Sequence, residues 1–223
     1  MLLALRCAAV SPNTRFKAVL FDLGGVVFPS PFEAFDRYDE RAGIEPGFCR
    51  RLIRVSSETG AWAALERGEL TMGEFYVGLE AEAEELGFTI EAARVMATIA
   101  ESSGARPAML AAIGVLRQHG LKVGALTNNW ANEGGSTSFG GISGGSLFDT
   151  IVESTKVGMR KPDPRIYELA LSRLGAAPTE TVFLDDLGIN LKPARDMGMT
   201  TIKVVDHMVA LSELAAHLGI GLL

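Results

Sequence analysis

"TVFLDDLGINLKPARDMGMTTIKVV", Thr181 to Val205, contains a short β-rich apolar run, a pair of acids, a helical pattern and a second β-rich run. The runs are Thr181–Leu184 and Thr201–Val205; the helical pattern covers Leu191–Met197 and ends at Gly198. Glycine just past a helix end is a usual stop signal, because it adopts the left-handed conformation without steric cost. Strand, helix and strand within so few residues predict two parallel strands joined by a crossover helix. Neither run alternates cleanly between polar and apolar, as expected of strands covered on both faces.

The same unit recurs outward from this stretch. "FKAVLF" (Phe16–Phe21), "KVGAL" (Lys122–Leu126) and "TIVE" (Thr150–Glu153) are further β-rich runs. Pro107–His119 is a helical pattern ending at Gly120, and Pro164–Leu174 is one ending at Gly175. Proline at the first turn and glycine after the last are helix boundaries. The alternation predicts an α/β fold with a Rossmann-like, doubly wound parallel sheet.

Between the first run and Arg106 the pattern is helical throughout, from "PFEAFDRYDERAG" to "TIEAARVMATIA". The predicted plan is therefore an α/β core of residues 16–31 and 106–223, an inserted all-helical cap of residues 32–105, and an N-terminal extension of residues 1–15. Thr71 with Glu74 three residues on reads as a capping box. "EGGSTSFGGISGG" (Glu133–Gly145) is rich in Gly and Ser and reads as a loop.

Composition narrows the partners. A net charge of −6 over 223 residues gives no reason to expect nucleic acid or an anionic membrane. No segment approaches the roughly 20 apolar residues needed to span a bilayer. Cys7 and Cys49 suggest neither a disulfide scaffold nor a zinc site, so a reducing, cytoplasmic setting is expected. The extension lacks a basic segment before its apolar run, as a secretory signal would have; two arginines and no acids leave an organelle-targeting reading open.

In open α/β sheets ligands bind beyond the carboxyl ends of the strands. Here those ends carry Asp22, then Thr127 and Asn128, then Lys161, then Asp185 and Asp186. Three carboxylates, a hydroxyl, an amide and an ammonium at one mouth can bind Mg²⁺ and a phosphate together: hard oxygens suit the cation, and the other groups suit phosphate oxygens. Taken one at a time, an Asp or a Thr-Asn pair after a strand also reads as a turn former, the Asp pair as a helix cap and the Lys as a surface residue. It is their shared position that points to a site.

"FDLGGVVFPSP" (Phe21–Pro31), "LTNNW" (Leu126–Trp130), "VGMRKPDPRIYELAL" (Val157–Leu171) and "VFLDDLGINLKPARDMGMTTIKV" (Val182–Val204) together resemble the haloacid dehalogenase-like hydrolases. That family consists mostly of Mg²⁺-dependent phosphatases with a Rossmann-like core and a mobile cap. The resemblance implies that Asp22 attacks phosphorus and forms an aspartyl-phosphate, so that hydrolysis proceeds by two easier displacements. It implies Asp22, the Gly24 carbonyl and Asp186 as metal ligands, Thr127 and Asn128 as phosphate ligands, and Lys161 as both a catalytic and a substrate-binding cation. Asp185 is implied as a supporting catalytic carboxylate and Asn190 as a support for the metal site.

The departure is Gly24. Family phosphatases usually carry an Asp there, whose side chain protonates the leaving oxygen and then activates water. Glycine retains the carbonyl and removes the acid, and such acid–base help is worth on the order of 10²–10⁴ in rate. Several readings follow. The protein is a phosphatase that is slow, confined to good leaving groups, or given an acid by substrate or cap. Alternatively it is a non-catalytic domain binding a phosphorylated ligand or a partner. Phosphonate cleavage fits poorly, because that branch uses a cap lysine and no lysine lies between Lys17 and Lys122. Haloacid dehalogenation fits poorly too, because that branch works without metal and this chain keeps Asp185 and Asp186.

In the helical block, Trp62, Met72, Phe75 and Tyr76 read either as a substrate pocket or as core, and Arg50, Arg51 and Arg54 either as an anion contact or as a solvated face. The substrate class expected is a small phosphorylated molecule. His119, His207 and His217 lie away from the strand ends and are given no role.

Overall fold

A computed structural model of the chain describes residues 15–55, 58–101, 104–132 and 147–222. The strands are β1 (Ala18–Phe21), β2 (Lys122–Thr127), β3 (Thr150–Glu153), β4 (Thr181–Asp185) and β5 (Thr200–Lys203). They form one five-stranded sheet in the order β3-β2-β1-β4-β5, with every pairing parallel. The chain builds outward from β1 through β2 to β3, then returns past β1 to build β4 and β5 on the other side. That reversal opens a crevice at the carboxyl ends of the central strands. Phe21 is level with Ala125 and Leu184, so Asp22 and Asp185 leave the sheet side by side.

Side-chain alternation divides β1 between two cores. Val19 and Phe21 pack with α6 (Pro107–Gln118) and the C-terminal α10 (His207–Leu218). Ala18 and Leu20 face the other layer, α8 (Pro164–Leu174) and α9 (Gly188–Asp196). Both faces of the strand are thus dry, which explains its unbroken apolar sequence.

Between β1 and α6 the chain forms α1 (Pro31–Ala42), α2 (Phe48–Val55), α3 (Ala61–Glu66), α4 (Met72–Glu85) and α5 (Ala92–Ala100). Among the described residues no strand falls in this interval. Phe35, Phe48, Trp62, Phe75 and Met96 belong to a third apolar cluster, separate from the two on the sheet. Trp130, just beyond β2, joins that cluster: its ring lies edge-on to Trp62 at 5.5 Å between centroids. The capping box at Thr71 forms, with the Glu74 carboxylate accepting from the Thr71 N–H at 2.8 Å and Thr71 Oγ1 accepting from the Glu74 N–H at 3.3 Å.

Element ends differ in detail from the sequence pattern. β1 begins at Ala18, not Phe16, and β5 stops at Lys203, leaving Val205 86% exposed. α9 starts at Gly188, directly after the Asp pair, and carries Pro193 inside it. A short helix after β3, α7 (Ser154–Val157), was not expected; Ser154 Oγ accepts from the Asn129 N–H at 2.9 Å, tying it to the end of β2. Residues 1–14 of the extension and the Gly/Ser-rich stretch 133–145 lie outside the described residues. Among the described residues no helix is long and apolar enough to cross a membrane.

Candidate active site

Asp22 is the first residue past β1. Its N–H donates to the Leu184 carbonyl at 2.9 Å, and its Oδ1 accepts from the Leu23 N–H at 2.6 Å. The turn that follows folds back on itself, with Phe28 N–H donating to the Leu23 carbonyl at 2.8 Å. Gly25 has φ +78°, and a Cβ built there would stand 2.1 Å from Asp186 Oδ2. The missing side chain is what lets Asp186 approach the turn. Arg106 Nη1 donates to the carbonyls of Gly25 (2.8 Å), Val26 (2.9 Å) and Phe28 (3.1 Å), so a residue at the entrance to α6 clamps the turn.

Lys161 is buried, 1% exposed, with Nζ 2.9 Å from Asp22 Oδ2 and 2.6 Å from Asp185 Oδ2. Its backbone is held by the Asn128 amide, which accepts from the Lys161 N–H at 2.8 Å and donates to the Lys161 carbonyl at 3.0 Å. The Asn128 side chain therefore anchors the lysine segment. Thr127 is buried at the end of β2, its hydroxyl 3.3 Å from the Asn128 carbonyl.

Asp185 is fully enclosed. Its Oδ1 accepts from the Leu187 N–H at 2.8 Å, and the Asn190 amide spans both its oxygens at 3.1 and 3.2 Å. Asp186 is less tied: Ser30 Oγ donates to its Oδ2 at 3.3 Å. Carboxylate oxygens of Asp22, Asp185 and Asp186 lie within 4.8 Å of one another.

Burial raises the Asp22 carboxyl well above the usual range; the Lys161 ammonium opposes this, and Asp185 and Asp186 add to it. Asp186 is pushed up to about 6, first by burial and then by Asp185. Burial alone would lower Lys161, but Asp185 and Asp22 outweigh it and the ammonium is strengthened. Crowded, partly dehydrated carboxylates that resist ionisation are what a divalent cation relieves. The donor set, hard oxygens with Asp22 and Asp186 the least encumbered by other partners, fits Mg²⁺, which takes one or two carboxylates and keeps several waters.

The site opens on a cavity of about 1520 Å³ whose wall includes Asp22, Gly24, Asn128, Lys161 and Asp186. Trp62, Met72 and Tyr76 line it, whereas Phe75 is wholly buried in the helical cluster. Arg50, Arg51 and Arg54 also reach the wall; Arg50 is paired with Asp36 at 2.6 Å and Arg51 with Glu45. Gly25, Ser30, Arg106 and Glu66 were missed by sequence reasoning. The Gly-Gly pair was a signal for a tight turn, but nothing local said that an Asp from β4 would lie against it.

Gly25→Ala is a sharp test of that packing. The variant is expected to lose about 1–2 kcal/mol from the left-handed backbone conformation, and to displace Asp186 as well. Thermal unfolding should show the first effect. A weakened magnesium-binding midpoint by titration should show the second.

Comparison with known proteins shows the family and the fold. A family model described as haloacid dehalogenase-like hydrolase matches residues 16–198. The chain is 35% identical to acyl-CoA dehydrogenase family member 10 of Mus musculus over 95% of its length, and 35% identical to bifunctional epoxide hydrolase 2 of Sus scrofa over 93%. It spans only 20% and 40% of those two proteins. A haloacid dehalogenase family enzyme of Bacteroides thetaiotaomicron, solved with magnesium and inorganic phosphate, shares the fold at a TM-score of 0.56 and 23% identity, covering 84% of this chain and 93% of that one. A match that begins before β1 and ends after α9 takes in every acid-bearing strand end, and the chain belongs to the haloacid dehalogenase-like hydrolases.

Proposed function

We propose that the protein is a magnesium-dependent phosphatase acting on small phosphorylated molecules, with Asp22 as nucleophile. The observation that carries this is the contact of Asp22 with the buried Lys161 ammonium, 2.9 Å away, at the head of the cavity and beside Asp186. The ammonium favours the ionised form of Asp22, which attacks phosphorus in line with the departing oxygen and forms an aspartyl-phosphate. Water then releases phosphate and restores the carboxylate. Asp22, the Gly24 carbonyl and Asp186 would hold Mg²⁺, which when bound neutralises charge on the phosphate oxygens. Asp185 acts through Lys161, holding the ammonium against Asp22. The Thr127 hydroxyl and the Asn128 N–H take phosphate oxygens.

The helical block of residues 32–105 acts as a cap that shapes the substrate end of the cavity. Its wall of Phe32, Trp62, Tyr76 and Met96 suits an apolar body attached to the phosphate. With no side chain at Gly24, activated aryl and acyl phosphates are the better substrates.

The test is phosphate release from an aryl, acyl and alkyl phosphate panel, with and without magnesium. Release from the activated esters is expected, falling to background with chelator and returning with added magnesium. Magnesium with beryllium fluoride, a mimic of phosphate on aspartate, should stabilise the protein by about 2.7 kcal/mol at a hundredfold excess over its dissociation constant, roughly 5–10 °C in unfolding temperature. Stabilisation without any turnover would favour the ligand-binding reading. Metal-independent halide release from a chloroacid would favour dehalogenation. No response in either assay overturns the proposal.

A further inference from the structure

Hydrolysis of an alkyl phosphate needs a proton delivered to the departing oxygen, and position 24 has no group to deliver it. The acids on the cavity wall are Asp22, Glu58, Glu66 and Asp186. Asp22 and Asp186 belong to the carboxylate cluster, and Glu58 is exposed. Among the described residues, Glu66 is thus the buried carboxyl on this wall that the cluster does not use.

Glu66 ends α3, in the helical block, and is 6% exposed. Its Oε1 accepts from Trp62 Nε1 at 3.0 Å, and its Oε2 accepts from Arg160 Nε at 2.7 Å. Arg160 immediately precedes Lys161, which contacts Asp22, so one step of backbone joins the carboxyl to the nucleophile's partner. The placement is closely packed. Gly68, two residues on, has φ +72°, and a Cβ there would stand 2.7 Å from the Thr155 carbonyl of α7, so α3 lies hard against the core. Each carboxyl oxygen has two lone pairs, and the Trp62 and Arg160 bonds occupy one on each. Burial raises this carboxyl above its ordinary range, against the pull of Arg160, Trp62 and Lys161.

We propose that Glu66 is the general acid and base of the reaction, standing in for the carboxyl missing at Gly24. The assignment rests on the phosphatase reading above. In the first displacement an Asp22 oxygen bonds to phosphorus as the ester P–O bond breaks; its electron pair stays on the leaving oxygen, which takes the proton of Glu66. In the second, the Glu66 carboxylate takes a proton from water as the water oxygen bonds to phosphorus. The bond from phosphorus to Asp22 breaks, and both carboxyl groups return to their starting forms.

The experiment compares kcat for an alkyl phosphate and for p-nitrophenyl phosphate in five proteins: wild type, Gly24→Asp, Glu66→Gln, Arg160→Gln, and Glu66→Gln combined with Gly24→Asp. Glu66→Gln should lower the alkyl-to-aryl rate ratio on the order of 10²-fold, because the good leaving group needs little proton assistance. Arg160→Gln removes the same guanidinium contact but keeps the carboxyl, which without the pull of Arg160 holds its proton more readily, so its ratio should hold or rise. In the Gly24→Asp background the Glu66→Gln loss should shrink, since a second acid is present. An equal loss on both substrates, or the same ratio change in Arg160→Gln, makes Glu66 a structural latch and overturns the assignment. Thermal unfolding of each variant separates misfolding from either outcome. Failure of every form to release phosphate, Gly24→Asp included, removes the phosphatase reading itself; turnover with an unmoved ratio removes only the role of Glu66.

Discussion

Gly24→Asp raises alkyl-phosphate turnover on the order of 10²-fold and changes aryl-phosphate turnover far less. General acid–base help spans roughly 10²–10⁴ in rate, and a carboxyl at position 24 adds to what Glu66 supplies. The backbone can accept the change: Gly24, unlike Gly25, does not lie in the left-handed region. Gly24 shares the cavity wall with Asp22 and Asp186, so a carboxyl there enters the reaction space. It also adds a negative charge to a crowded cluster. The metal-free variant should therefore unfold at lower temperature than wild type, with the deficit reduced by magnesium. Steady-state rates on paired alkyl and aryl esters check the first effect, and unfolding with and without magnesium checks the second. An unchanged alkyl rate would mean that the missing acid is not what limits this site.

Asp22→Asn brings all turnover to background, a loss on the order of 10⁴-fold or more, as removal of a covalent nucleophile does elsewhere. The amide cannot attack phosphorus, yet its oxygen can still accept the Leu23 N–H. Stability moves the other way. Burial and the neighbouring acids raise the Asp22 carboxyl even with Lys161 beside it, so ionising it costs more in the folded chain than in the unfolded one. A neutral residue lifts that penalty, and the unfolding temperature in metal-free buffer should hold or rise. Lost activity with an intact or firmer fold identifies the nucleophile. Lost activity with a collapsed fold would instead make Asp22 a structural residue.

The architecture was legible in the chain because it rests on local rules. Strands dry on both faces read as unbroken apolar runs, and "TVFL" and "AVLF" fall where β4 and β1 form. Helices that stop at Gly43 and Gly175 do so through left-handed caps visible in sequence. Position at a strand end also marks Asp22, Asp185 and Asp186, while Lys161 lies past α7, in the segment that follows β3. The helix start at Gly188 was less legible, since nothing local separates an Asp pair that caps a helix from one that ends a strand.

What the sequence alone determined is the order of strands and helices and which polar groups follow the strands; both follow from residue type and short-range spacing. Only the tertiary structure decided which groups touch. Asp186 lies against Gly25, Arg106 grips the turn after β1, the Asn128 amide turns to the Lys161 backbone, and Glu66 meets Arg160 across 94 residues of chain. The physical reason is that a hydrogen bond or ion pair extends about 3 Å in space and has no period along the chain, so its partners become known only when the fold brings them together.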